Sequence, residues 1–341
     1  MTLTIEGPAP LGAPPNSRRS PAYGERGART IEIGLVNNMP DAAVAATRRQ
    51  FVRLIEDASD ELDVRLSLFA LDTLPRDDAT RRAMAEEYAP ASALEGARLD
   101  ALVVTGAEPH AADLRDEPYW EELGFVLDWA AENTISSLFS CLAAHASVLR
   151  SDGLRRRPLA NKRAGVFTVD VVADNALLAG LGPRYLVPHS RWNDLDEAKL
   201  VEKGYHILSR SSQCGADLFI RKTRSLLVYL QGHPEYEADS LAREHRRDLM
   251  RFLRGEQTTP PNPPFNYYPP EAAAMVANFA LRAMAAPESA LAAGFPVSAL
   301  ALSAEPWRFA ALRLVNNWLG MVARRKAARS AATFAVARWG G

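Results

Sequence analysis

Short apolar runs alternate with amphipathic segments from residue 30 to residue 150, and this alternation narrows the fold more than any other feature of the chain. "TIEIGLVNNMP" is an apolar run ending in a polar loop, and "AVAATRRQFVRLIEDAS" has helical spacing through Val44, Phe51, Leu54 and Ile55. "LDVRLSLFAL" alternates as a strand does, "LDALVVTGAEP" is an apolar run stopped at a glycine turn, and "YWEELGFVLDWAAEN" is amphipathic. "TISSLFS" is a further apolar strand, and Cys141 opens the helix that follows it. Strands separated by helices imply a mostly parallel sheet with helices on both faces, an α/β fold of the doubly wound, flavodoxin-like kind. From residue 164 to residue 232 strands and turns follow one another ("AGVFTVDVV", "RYLVPHSRW", "GYHILSRSS", "ADLFIRK", "SLLVYLQG"), which implies antiparallel pairing.

Two stretches stand outside this pattern. Residues 1–28 are rich in Pro, Gly and Arg without periodicity and are expected to be a disordered arm. Residues 29–286 are expected to be the working domain, and residues 287–341 an Ala-rich extension, basic beyond Glu305, that is helical. Its stripe Leu312, Val315, Leu319 and Val322 lies beside arginines. Such a helix can pack on the domain, sit at a dimer interface, or touch a membrane surface or partner. The domain is expected to keep its catalysis without the chain beyond about residue 290.

The formal charge of −1 gives no reason to expect a nucleic-acid partner. Two cysteines form no disulfide framework and fit a reducing, cytoplasmic setting. No apolar run reaches membrane-spanning length and no secretory signal is expected. No His/Cys spacing suggests a metal site.

In a parallel sheet, ligands gather beyond the carboxyl ends of the strands. Cys141 stands at such an end and at a helix N-terminus, where free amides and the helix dipole favour a thiolate. It is either an inert interior thiol or a nucleophile. A nucleophile needs a base. "VYLQGHPEYE" offers His233 after a strand and a glycine turn, with Glu235 two residues on and Pro234 stiffening the chain between them. In extended chain such a pair points to one side, so the carboxylate can set the imidazole tautomer. His145, four residues after Cys141, competes for the same role but has no nearby carboxylate to orient it.

"VNNMP", "LDALVVTGA", "YW", "SLFSCLAAHA", "KRAGVF", "VPHSRW", "QGHPEY" and "FNYYP" resemble, in this order, the motifs of the homoserine O-acyltransferases of the homoserine O-succinyltransferase type, over about residues 30–285. The resemblance implies a class I glutamine amidotransferase-like fold and a homodimer. It also implies ping-pong transfer from succinyl-CoA or acetyl-CoA to homoserine or a similar hydroxy amino acid, with no bound cofactor, on the route to methionine. By motif, Cys141 falls on the acylated nucleophile, His233 on its base and Glu235 on the residue orienting the base. Lys162, Ser190 and Arg247 fall on substrate-binding positions, Arg247 being suited to a bidentate carboxylate clamp. Amides of Leu142 and of the Gly106 turn are expected to hold the oxyanion. His110 stands at the position linked to succinyl or acetyl choice and is neither of the residues usual there. Glutaminases of this fold place glycines around the nucleophile, whereas Phe139 and Ala143 flank Cys141 here. A glutamine-hydrolysing enzyme and a non-catalytic metabolite- or partner-binding domain remain as alternatives. "NNMPDAAVAATRRQF" departs from the family pattern at Asn38 and Asp41, near the expected pocket mouth.

Overall fold

The computed structural model describes residues 2–7, 30–286, 295–296 and 305–339, and side chains only to residue 331 in the last stretch. Strands β1 (Leu3–Glu6), β2 (Thr30–Val36), β3 (Asp63–Ala70), β4 (Ala89–Pro90), β5 (Ala101–Val104) and β6 (Ser136–Ser140) pair in parallel with one another. Strand β6 pairs in parallel with β11 (Leu226–Leu230) as well. Beyond β11 the sheet turns antiparallel, through β10 (Gly215–Lys222), β9 (His206–Ser211), β7 (Arg157–Val171) and β8 (Arg184–Asp194). The eleven strands form one sheet in the order β1-β3-β2-β5-β6-β11-β10-β9-β7-β8, with β4 beside β3.

The central strands are apolar on both faces because both faces are covered. Ile31, Ile33 and Leu35 of β2, Val103 of β5, Leu138 of β6 and Val228 of β11 face one cluster; Leu102, Val104, Phe139, Leu227 and Tyr229 face the other. The first cluster is closed by helix α1 (Asp41–Ala58) and the second by α3 (Trp120–Asn133) and α4 (Leu142–Asp152). Between them, α2 (Asp78–Ala85) sends Met84 into the first cluster. Helix α5 (Glu197–Glu202) contributes Leu200 to the second. Helices α6 (Ser240–Leu253) and α7 (Pro270–Ala285) build a third cluster with Val166 of β7.

Two sequence expectations change here. Within the stretch expected to be a disordered arm, Leu3–Glu6 forms an edge strand on β3, because Leu3 has the apolar core to pack against; residues 8–28 of that arm lie outside the described residues. Patterning also sets residues 287–341 apart from the working domain of residues 29–286. The last helix, α8 (Arg308–Trp339), is instead part of the first cluster: Leu314, Val315, Trp318, Leu319 and Val322 are buried there, and Leu312 packs against it. Trp318 Nε1 donates to Ser136 Oγ at 2.9 Å, and Lys326 Nζ lies 2.7 Å from Asp100 Oδ2. Of the expected roles for this helix, packing on the domain is the one observed. Residues 287–294 and 297–304 lie outside the described residues. Among the described residues no helix is long and apolar enough to cross a membrane.

Removing the Trp318 ring leaves a large cavity at the sheet face and a buried hydroxyl without its donor. Trp318→Ala is therefore expected to lower unfolding stability by about 3–5 kcal/mol, read as a lowered urea midpoint; an unshifted midpoint would mean that α8 only rests on the surface.

Candidate active site

Cys141 lies between the last residue of β6 and the first of α4, with φ 50° and ψ −108°. A non-glycine residue there carries roughly 1–3 kcal/mol of backbone strain, which the structure sustains by buried packing on both sides and a Cys141 N–H bond to Leu230 O at 2.7 Å. The thiol is half-exposed, whereas the second cysteine, Cys214, is buried and its pKa is pushed by burial up to about 12. The Gly106 turn follows β5 directly beside the elbow: a Cβ built on Gly106 would sit 3.5 Å from Leu142 N and 3.6 Å from Cys141 Cβ. As the first helical residue, Leu142 has no intrahelical partner for its N–H. Asn38 fixes the same turn from the loop after β2, its N–H donating to Thr105 Oγ1 at 2.8 Å.

His233 arrives from the end of β11. Its N–H donates to Pro188 O at 2.8 Å, and Gly232 allows the turn to lie close: a Cβ there would come within 2.8 Å of Asp217 Oδ1 and 3.1 Å of Pro188 O. The imidazole Nδ1 is 2.8 Å from Glu235 Oε1. Burial works against a charge on His233, but the charges of Glu235 and then Cys141 outweigh it and hold the imidazole pKa well above its ordinary value. Nε2 is buried with no hydrogen-bond partner, which leaves it for the sulfur side. The Tyr236 ring stacks on the imidazole at 4.3 Å and 19°.

Tyr236 links the pair to a polar wall. Its hydroxyl donates to Glu244 Oε1 at 2.5 Å, Ser190 Oγ donates to Glu244 Oε2, and Lys162 Nζ lies 3.3 Å from Glu244 Oε2 and 2.6 Å from Asp248 Oδ2. Burial opposes the Glu244 charge, yet Lys162, Arg247, Ser190 and Tyr236 together hold its carboxyl down to about 2. Arg247 is 2.9 Å from Asp248 Oδ1, and Arg251 pairs with Glu108 on the loop after Gly106 at 2.5 Å. Glu244, Arg247, Asp248 and Arg251 recur at helical spacing, so α6 presents one charged face to this wall.

The structure thus brings Cys141, His233, Glu235, Gly106 and Leu142 together, and joins Lys162, Ser190 and Arg247 in one carboxylate network. His110 is exposed on the loop; its backbone N–H, not its ring, is engaged, by Glu117 Oε1 at 2.5 Å. His145 turns away to Gln231 Oε1 at 3.0 Å, and burial takes its pKa down to about 4, so it stands neutral. Sequence reasoning passed over Tyr236, Glu244 and Asp248, although Glu244 and Asp248 stand four apart on the helix that carries Arg247. It also passed over Trp307, whose Nε1 donates to Tyr236 O at 2.9 Å from the start of the C-terminal helix segment; no local signal marks that contact, which spans 71 residues.

Fold and arrangement together define an α/β enzyme with a cysteine elbow opposed by a His–Glu pair. The family model described as homoserine O-succinyltransferase matches residues 19–328, most of α8 included. A homoserine O-succinyltransferase of Methylorubrum extorquens is 50% identical over 307 residues, covering 90% of this chain and 91% of that protein. One of Rhodopseudomonas palustris is 46% identical over 327 residues, covering 94% and 98%. Among solved structures, a glutamine amidotransferase of Thermotoga maritima aligns with a TM-score of 0.47 at 13% identity, over 86% of this chain and 98% of that one. The chain belongs to the homoserine O-succinyltransferase family.

His145 and His245 are both held near pKa 4, chiefly by burial. The unfolded chain binds their protons near 6.5, so between pH 6.5 and pH 4 it takes up more protons than the folded one. Stability is expected to fall as pH drops through that window, and His145→Gln to remove part of that slope, buried His189 adding to it in the same direction; denaturation midpoints across the window that match wild type would contradict the assignment.

Proposed function

We propose that the chain O-succinylates homoserine, in methionine biosynthesis, by ping-pong transfer from succinyl-CoA through a thioester on Cys141. His233 takes the Cys141 proton, and the sulfur attacks the thioester carbonyl of the donor. The amides of Leu142 and Gly106 receive the oxyanion, each worth roughly 3 kcal/mol by analogy with measured oxyanion donors. CoA leaves with the proton held by His233, and the acyl group stays on sulfur. The homoserine hydroxyl then attacks that thioester, giving its proton to His233, and the Cys141 sulfur leaves as O-succinylhomoserine forms. Glu235 orients His233 and stabilises its charged form. Arg247 exchanges Asp248 for the substrate carboxylate, Lys162 and Ser190 line the same wall, and ionised Glu244 balances the substrate ammonium. His110 takes the donor side of the mouth.

The observation that carries this reading is the pairing of the strained, half-exposed Cys141 with an imidazole tied at 2.8 Å to Glu235. In the same reading the chain works as a homodimer in the cytoplasm. The exposed Met275, Leu281 and Met284 of α7 support the first, and two free thiols support the second.

Incubation with succinyl-CoA and intact mass measurement test it. Wild type is expected to gain one succinyl adduct and Cys141→Ala none. His233→Ala is expected to slow acylation roughly 10²–10⁴-fold, with His145→Ala close to wild type. Loss in His145→Ala with retention in His233→Ala would reassign the base.

A further inference from the structure

The mechanism leaves one cation beside the nucleophile unused. Arg156 ends the segment between α4 and β7, and its NH2 donates to the carbonyls of Ala111 and Ala112 at 3.0 and 3.2 Å. These are loop residues just beyond Gly106 and His110. Its flanking arginines have acidic partners: Arg155 is 3.9 Å from Asp113, and Arg157 is 3.3 Å from Asp196. No carboxylate among the described residues lies within ion-pair distance of Arg156, and its Nε–H is buried without a partner.

The carboxylates nearest to it are already engaged. Glu117 Oε1 accepts from the amides of His110 and Ala111 at 2.5 and 2.6 Å, and Asp113 pairs with Arg115 at 2.6 Å. Tyr119 is 1% exposed, and its hydroxyl is also buried with no partner. Burial lowers the Arg156 pKa, and the groups whose charges counter it are, in order, Tyr119, Glu117, Asp113 and Cys141. Burial likewise raises the Tyr119 pKa well above the usual phenol, so its O–H stays a donor. Two unspent donors therefore stand within electrostatic reach of each other, and the cationic one, Arg156, is also within reach of the sulfur. A buried donor left unmade is costly, and two such donors match the two oxygens of one carboxylate.

We infer that Arg156 and Tyr119 form the subsite for the distal carboxylate of the acyl group, so that the enzyme selects a dicarboxylic acyl thioester over an uncharged one of equal length. The assignment rests on the acyl-thioester reading above. A succinyl group on Cys141 ends in a carboxylate two methylenes beyond the thioester carbonyl. Arg156 closes on that end while holding the Ala111–Ala112 turn, which couples the shape of the loop to the presence of the charge.

Rates of Cys141 acylation by succinyl-CoA and by butyryl-CoA, followed by intact mass, separate the two ideas. Wild type is expected to prefer succinyl-CoA. Arg156→Gln is expected to lower succinylation roughly 10–100-fold, the range for a lost charge-assisted bond, while butyrylation is unchanged. Arg156→Lys should recover part of the loss, since charge returns without the planar fork. Tyr119→Phe should lower succinylation alone, by a smaller factor. Unchanged butyrylation also shows that each variant is folded. Equal losses on both donors would reduce Arg156 to a structural role and overturn the inference, as would no loss on either. A wild type that forms no adduct with either donor would defeat the acyl-thioester reading itself and this assignment with it.

Discussion

The parallel register of three strands carries everything else. Val104, Phe139 and Tyr229 lie side by side across β5, β6 and β11. Two residues beyond Val104 stands Gly106, two beyond Phe139 stands Cys141, and four beyond Tyr229 stands His233. A shift of one residue in either pairing would turn each strand's side chains to the opposite face. It would bury the thiol or carry the imidazole away from it. That register is specified because both faces of these strands are buried, so each alternate side chain has one cluster to join.

On this rim the local chemistry follows from burial set against charge. The elbow strain at Cys141 persists because the rest of the sheet over-determines it. His233 is buried, which alone would keep it neutral, yet Glu235 on one side and the sulfur on the other favour its charged form. His145 is buried to a similar degree but meets only an amide, and it stays neutral. Two buried imidazoles are thus set apart, one favoured charged and one held neutral, by the charges placed beside them. Around them the wall of Glu244, Lys162, Ser190 and Tyr236 holds opposite charges close together in a half-buried setting.

Much of this was legible in the chain. Periodicity alone gives the parallel half, its helices, the antiparallel half and the strand-end position of Cys141. The His233–Glu235 pair can be read from an i, i+2 spacing across a proline. What could not be read is contact between distant segments. The Leu3–Glu6 strand has too few residues for a periodic signal and forms because β3 offers an open edge. The C-terminal helix looks like an appendage because its composition is Ala-rich and basic, but its apolar stripe completes the sheet's first face. The Trp307 bond to Tyr236 O brings the start of that segment to the residue stacked on His233. Arg156 sits in a run of three arginines that differ only in which carboxylates the fold brings near them.

The central claim is that Cys141 itself carries the acyl group between two half-reactions. Rapid-quench measurement of CoA release on mixing the enzyme with excess succinyl-CoA, homoserine being absent, tests it most directly. The account predicts a burst of about one CoA per chain followed by near silence, as expected for a covalent intermediate awaiting its acceptor. CoA release that begins only when homoserine is added would mean direct transfer in a ternary complex and would contradict it.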